Sequence, residues 1–166
     1  MVRIILILID MEKKFELTDK FVFNTFGIKL FQIKCTKSFK YAKEGDLGGY
    51  VEKDENLDQE SDAWVYGNAQ VYGDAWVYGD AQVSGDADIE NDNNHCGFDC
   101  FGSCNRHTHA YLTKDNKVEI TCGCFRGSIE EFEKKVEKTH SGKIYEKQYK
   151  AIINVIKIKF GLTDLI

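Results

Sequence analysis

The chain has 166 residues, with 22 lysines and arginines against 27 aspartates and glutamates, for a net charge of −5. That length suits one modest domain, or a core with two small appendages. No membrane partner and no direct nucleic-acid partner is expected, and the fold class read from the residues is mainly β with C-terminal helices.

The charge is uneven. Residues 44 to 92 carry fourteen acids and one lysine, Lys53, a balance of −13, while the remainder balances at +8. Such asymmetry either marks a charged partner or reflects acids at turns and lysines on exposed faces. Proline is absent, so glycine and Asx residues must make the corners. Six cysteines without a recognisable secretory leader point to free thiols or a metal in a cytosolic setting, rather than to disulfides.

In chain order, residues 1 to 10 are apolar but too short to span a bilayer. They read as a start-site extension or an edge strand. Residues 15 to 43 read as strands, with Ile28, Leu30, Ile33 and Cys35 alternating against Lys29, Gln32 and Lys34. A step at Leu30 and Phe31 predicts a bulge there. Lys37, Lys40 and Lys43 around Phe39 and Tyr41 fit solvated lysines on a β edge or a phosphate contact. Gly45 to Glu52 lacks the Gly-Lys-Ser/Thr ending of a phosphate loop and reads as the tight entry to a solenoid.

Residues 62 to 90 repeat with a period of six. Ala63, Ala69, Ala75, Ala81 and Ala87 hold one phase, and Val65, Val71, Val77, Val83 and Ile89 hold the phase two later. A helix would scatter this pattern, whereas a strand puts residues two apart on one face. Gly67, Gly73, Gly79 and Gly85, each followed by Asp or Asn, make the corners. The period predicts a short left-handed parallel β-helix over 45–92. An N-terminal β segment (1–44) precedes it. A C-terminal unit (93–166) follows, with a Cys-rich loop, a hairpin and two helices. By alternation Trp64, Tyr66, Tyr72, Trp76 and Tyr78 face outward, and exposed aromatics on a rigid face make an interface or a ligand surface.

Several stretches resemble a group of phage and prophage proteins with hexapeptide-type repeats. They are Phe15-Glu16-Leu17-Thr18, Leu30-Phe31-Gln32-Ile33, Gly45 to Glu52, Asn56-Leu57, the Asp-Ala-x-Val-Tyr-Gly array, and Cys122-Gly123-Cys124-Phe125-Arg126-Gly127-Ser128 through Phe132. The resemblance covers most of residues 12 to 160. The Cys-rich insert at 95 to 104 stands outside it. It implies a viral context and a homo-oligomer, with a trimer favoured. Hexapeptide-repeat proteins also include acyltransferases that use a histidine base between subunits. The histidines here are His95, His107, His109 and His140, none of them inside the repeats.

Residues 91 to 109 are rich in Asx and Gly and read as a loop, within which His95, Cys96, Cys100, Cys104, His107 and His109 crowd as possible sulfur and nitrogen ligands. Cys96, Cys100 and Cys104, with Cys122 and Cys124 further on, are the candidate zinc ligands, but their spacing is not that of paired Cys-x-x-Cys knuckles. Free thiols are the alternative, so no cofactor is assigned. Residues 108 to 122 read as a hairpin around Lys114-Asp115-Asn116-Lys117. Ser128-Ile129-Glu130-Glu131 is a capping box. It opens a helix with Ile129, Phe132 and Val136 on one face, and a second helix follows from about Lys143 to Phe160.

The functional expectation is a non-enzymatic phage protein of the host cytosol. It would counteract a bacterial defence system by occupying an effector or by sequestering a nucleotide signal. The binding residues would be Trp64, Tyr66, Tyr72, Trp76 and Tyr78, with Arg126 toward phosphates. The alternatives are an acyltransferase-like enzyme and a structural virion or assembly protein.

Overall fold

The two repeated phases are the centre of the molecule. The five alanines from Ala63 to Ala87 and the branched residues from Val65 to Ile89 are all buried, none more than 3% exposed. A small and a branched residue alternate inward at each hexapeptide, and the glycine corners Gly67, Gly73, Gly79 and Gly85 have φ between 57° and 68°. The computed structural model describes residues 12–162. The apolar segment at 1–10 lies outside them.

β1 (Phe15–Phe23) and β2 (Lys29–Cys35) form an antiparallel hairpin, followed by β3 (Leu47–Val51). The repeats add four strands of two residues each: β4 (Trp64–Val65), β5 (Gln70–Val71), β6 (Gln82–Val83) and β7 (Asp88–Ile89). Their pairing is parallel, with Trp64 beside Gln82 and Gln70 beside Asp88. The register irregularity in the first hairpin falls between Leu17 and Phe21 on β1, not at Leu30 and Phe31.

The expected left-handed parallel β-helix is corrected by the sheet topology. The strands divide among three separate sheets: a mixed five-stranded sheet β1-β2-β3-β5-β7, a two-stranded sheet β4-β6, and a four-stranded antiparallel sheet. Two-residue strands make short ladders, and the Val77 phase meets Leu57 only through an isolated bridge. The longer ladders come from antiparallel hairpins at either end of the chain.

The four-stranded sheet consists of β8 (His95–Phe101), β9 (Arg106–Leu112), β10 (Val118–Cys122) and β11 (Phe125–Ser128). Residues 91 to 109, expected as a loop, are therefore largely a strand pair. Their alternation explains it. Cys96, Phe98, Ala110 and Leu112 pack toward the two helices, whereas Tyr111, in register with the opposite set, packs into the core of the repeats. A sheet with an apolar layer on each side is stable despite its Asx content.

α1 (Ile129–His140) and α2 (Ile144–Lys159) cover one face of this sheet with Phe132, Val136, Tyr149, Ile152, Ile153 and Ile156. The capping box is formed: Ser128 Oγ accepts from Glu131 N, and Glu131 Oε2 accepts from Ser128 N at 2.8 Å. The other face docks on the repeats. Thr121 Oγ1 donates to the Gln82 carbonyl at 3.1 Å, and Lys114 N donates to the Asp86 carbonyl at 2.9 Å. Among the described residues no helix is long and apolar enough to cross a membrane.

Candidate functional site

Between the repeats and the sheet lies a cavity of about 280 Å³, lined by Tyr78, Ala81, Asp92, His95, Cys96, Gly97, Asp99, His107 and His109. The strand period places its histidines. His107 and His109 are two apart on β9 and share a face. Gly97 of β8 stands opposite His109, and His95 lies two residues before Gly97. All three imidazoles therefore project from one face of the sheet, the face toward the repeats.

Each ring is tied to a neighbour. His95 Nδ1 lies 3.0 Å from His109 Nε2, and His95 Nε2 lies 3.4 Å from Asp92 Oδ1. His107 Nδ1 lies 2.6 Å from Asp99 Oδ1. Nε2 of His107 and Nδ1 of His109 are buried and make no hydrogen bond within the described residues. A Cβ at Gly97 would sit 2.7 Å from His107 Cε1, so glycine is what lets the ring lie across β8. Asp92 Oδ1 also accepts from Trp76 N at 3.2 Å, which couples the cavity to the repeats.

Burial governs the charge state here. It pushes His95 below the usual imidazole range, with Asp92 opposing. It pushes His109 well below that range, and the two neighbouring histidines add to the effect. Burial also pushes the Cys96 thiol up to about 11. The cavity thus offers neutral imidazole nitrogens, rimmed by carboxylates, to a hydrogen-bonding or cationic guest.

The structure divides the aromatic residues expected to bind. Trp76 and Tyr78 are exposed, 48% and 54%, and stack on each other with centroids 4.6 Å apart. Tyr78 lines the histidine cavity, while Trp76 lines a separate crevice with Leu57, Asp58 and Gln59. Trp64 and Tyr72 are corrected: both are buried. Phe39 covers Trp64 edge-on, with centroids 5.4 Å apart. Tyr66 is half-buried, its hydroxyl 3.4 Å from the Tyr41 carbonyl, and burial raises its phenol to about 12. Arg126 is committed to Glu119, with Nε 2.6 Å from Oε1 and a terminal nitrogen 3.2 Å from Oε2.

The candidate cysteines do not all share one place. Cys96 lines the histidine cavity, while Cys104, Cys122 and Cys124 line a second crevice of about 180 Å³ with Arg106 and Tyr149. Cys122 Sγ accepts from Thr108 Oγ1 at 3.3 Å. Cys100 is exposed at a φ of 62°. Among the described residues, no group of three or more His, Cys, Asp or Glu is set to hold a metal ion as it stands. The crowding of His95, His107 and His109 is visible in the sequence, but the loop reading of residues 91 to 109 hides the strand pair that sets the three rings on one face. The spacing His107-x-His109 was the available signal. Neither the family models nor the curated proteins contain a match to this chain.

Proposed function

We propose that the protein works by binding a small ring-bearing ligand of nucleotide type at the histidine cavity, and that in the phage setting implied by its motifs it sequesters a nucleotide signal of a bacterial defence system in the host cytosol. The observation that carries this reading is the exposed Trp76–Tyr78 stack, whose Tyr78 lines the cavity. Exposed aromatic faces hold a base by stacking, worth about 1–3 kcal/mol per base. A neighbouring crevice shares His107 and adds Asn105 and Arg106, which suit a phosphate, beside a Lys40 held by Asp80 at 2.7 Å.

The test is a thermal-shift and tryptophan-fluorescence series with mononucleotides, cyclic dinucleotides and acetyl-CoA. Binding of a nucleotide that is lost in Trp76→Ala supports the reading. No response to any nucleotide overturns it. A response to acetyl-CoA with turnover lost on His95→Ala replaces binding by acyl transfer, and recovery of the protein in purified particles assigns a virion role. Native mass spectrometry of the same sample reads the oligomeric state, for which a trimer is the proposal.

A second reading is occupation of an effector protein. Phe21, Phe23 and Phe26 support it, being 47%, 63% and 71% exposed at the end of the first hairpin. Loss of the inhibitory effect in Phe23→Ser/Phe26→Ser, with nucleotide binding absent, would select this reading.

A further inference from the structure

We infer that Cys104 and Cys124 form a thiol-exchange site, which reacts with a small disulfide bearing carboxylates and closes to an intrachain disulfide. The site lies outside the histidine cavity, and the inference does not rest on nucleotide binding.

The topology of the four-stranded sheet brings the two thiols together. Phe101 pairs with Arg106 across β8 and β9, so residues 102–105 make their turn. Cys122 pairs with Phe125 across β10 and β11, so residues 123 and 124 make theirs. Thr108 of β9 stands opposite Cys122 of β10, which sets both turns at one end of the sheet. Cys104 lies in the first turn and Cys124 in the second, and both are exposed. They line one crevice of about 180 Å³, closed on its other side by residues of α1 and α2. Cys104 also lines the adjoining crevice with Gly123, the residue before Cys124. Neither thiol belongs to a strand ladder. The turns can therefore bring the sulfurs to a bond length of about 2.0 Å without breaking a paired strand. Cys122, the third thiol of the crevice, is buried, and its Sγ accepts from Thr108 Oγ1 at 3.3 Å.

The charge around the pair selects the reagent. Arg106 lies across the second turn, where a Cβ at Gly123 would stand 2.9 Å from its Cδ and 3.0 Å from its Cζ. Arg106, Lys135 and His140 line the crevice, and among the described residues no carboxylate does. Partly exposed thiols flanked by cationic groups are the reactive ones. The same groups attract an anionic reagent and repel a cationic one. Cys100 is exposed too, but it lies outside the crevice and next to Asp99 in sequence.

The exchange balances with the disulfide reagent as oxidant. Cys124 releases its proton to water and attacks one sulfur of the reagent. A mixed disulfide forms, the reagent's S–S bond breaks, and one reagent thiolate leaves with the electron pair. Cys104 then loses its proton and attacks Cys124 Sγ. The intrachain S–S bond forms and the second reagent thiolate leaves. The protein dithiol is oxidised by two electrons, and the reagent is reduced to two thiols.

The test treats the full reduced chain with anionic glutathione disulfide or with cationic cystamine, and maps the quenched products by mass spectrometry. With glutathione disulfide, Cys124 should react about 10-fold faster than Cys100. The product should be a Cys104–Cys124 link, with two hydrogens lost and no glutathione retained. The rate ratio of Cys124 to Cys100 should fall with cystamine, with added salt and in Arg106→Gln/Lys135→Gln. Cys104→Ser should stop at the mixed disulfide, keeping one glutathione on Cys124, and Cys124→Ser should lose the fast reaction. A folded parent in which Cys124 reacts no faster than Cys100, or in which the ratio is no lower with cystamine, overturns the inference. So does a Cys104→Ser chain that sheds both glutathiones, or a disulfide that maps to other cysteines.

Discussion

His95 Nδ1 lies 3.0 Å from His109 Nε2, with the two rings edge to face at 84° on adjacent strands. This polar pair is buried, His95 at 8% exposure and His109 at 1%. Removing one ring strands the other's nitrogen away from water. Truncation of either residue to Ala should cost about 1–3 kcal/mol through the unpaired group, plus packing. Replacing both with Phe removes both needs at once. In a double-mutant cycle by urea unfolding, the double change should be milder than the sum of His95→Phe and His109→Phe by about 0.5–3 kcal/mol. Additive costs would show that the two rings act independently.

Gly97→Ala tests how tightly the cavity is fitted. The added Cβ would stand 2.7 Å from His107 Cε1 and 3.0 Å from Nε2. The imidazole must turn away, pulling Nδ1 from Asp99. Overpacking of this kind costs about 1–3 kcal/mol, and a ring at the cavity edge can yield, so the loss should fall at the lower end. The His107 imidazole resonances should shift while those of the helices stay in place. Unchanged His107 resonances would refute the close approach.

Lys14 supplies the pH dependence. Its ammonium is buried, donating to the Ser61 carbonyl at 2.7 Å and the Ala63 carbonyl at 2.8 Å, with the Phe39 ring 5.1 Å away. Burial lowers its pKa from 10.5 to about 8, against the pull of Asp58 and Asp62. Between those two values the folded chain has released a proton that the unfolded chain keeps. Stability from this group therefore rises with pH from about 8 toward 10.5 and falls as pH drops back through 8. Lys14→Met strands two carbonyls and should cost about 1–3 kcal/mol. The gap between parent and variant should widen from pH 7.5 to 9.5 in parallel unfolding titrations. A constant or shrinking gap would contradict the assignment.

The features legible in the sequence were those set by local spacing. Ala63 through Ala87 and Val65 through Ile89 are inside because a strand period fixes which side a residue faces. Ser128 and Glu131 cap α1 because that motif is complete within four residues. The illegible features depend on segments that arrive from elsewhere in the chain. Alternation puts Trp64 on the outer side of its strand, but only the fold brings Phe39 over it. Residues 95 to 101 carry the turn-forming composition of a loop, yet pair with β9 because Cys96 and Phe98 find an apolar layer under α2. The histidine cavity obeys the same rule. It is assembled across β8, β9 and the repeats, and His107-x-His109 alone does not announce its third member.

The two tryptophans give the last prediction. Trp64 is 1% exposed and packs in the core with Phe39, while Trp76 is 48% exposed and stacks on Tyr78. Acrylamide should quench one component of the intrinsic fluorescence and spare the other, with the quenchable component absent from Trp76→Phe. The energetic contrast should match. Trp64→Ala opens a cavity in the centre of the fold and should cost about 3–5 kcal/mol, enough to unfold a domain of ordinary stability. Trp76→Ala removes one side of an exposed stack and should cost about 0.5–1.5 kcal/mol. Chemical denaturation of the two variants decides it. Equal losses would mean that Trp76 is as enclosed as Trp64, which would remove the open aromatic face on which the ligand reading rests.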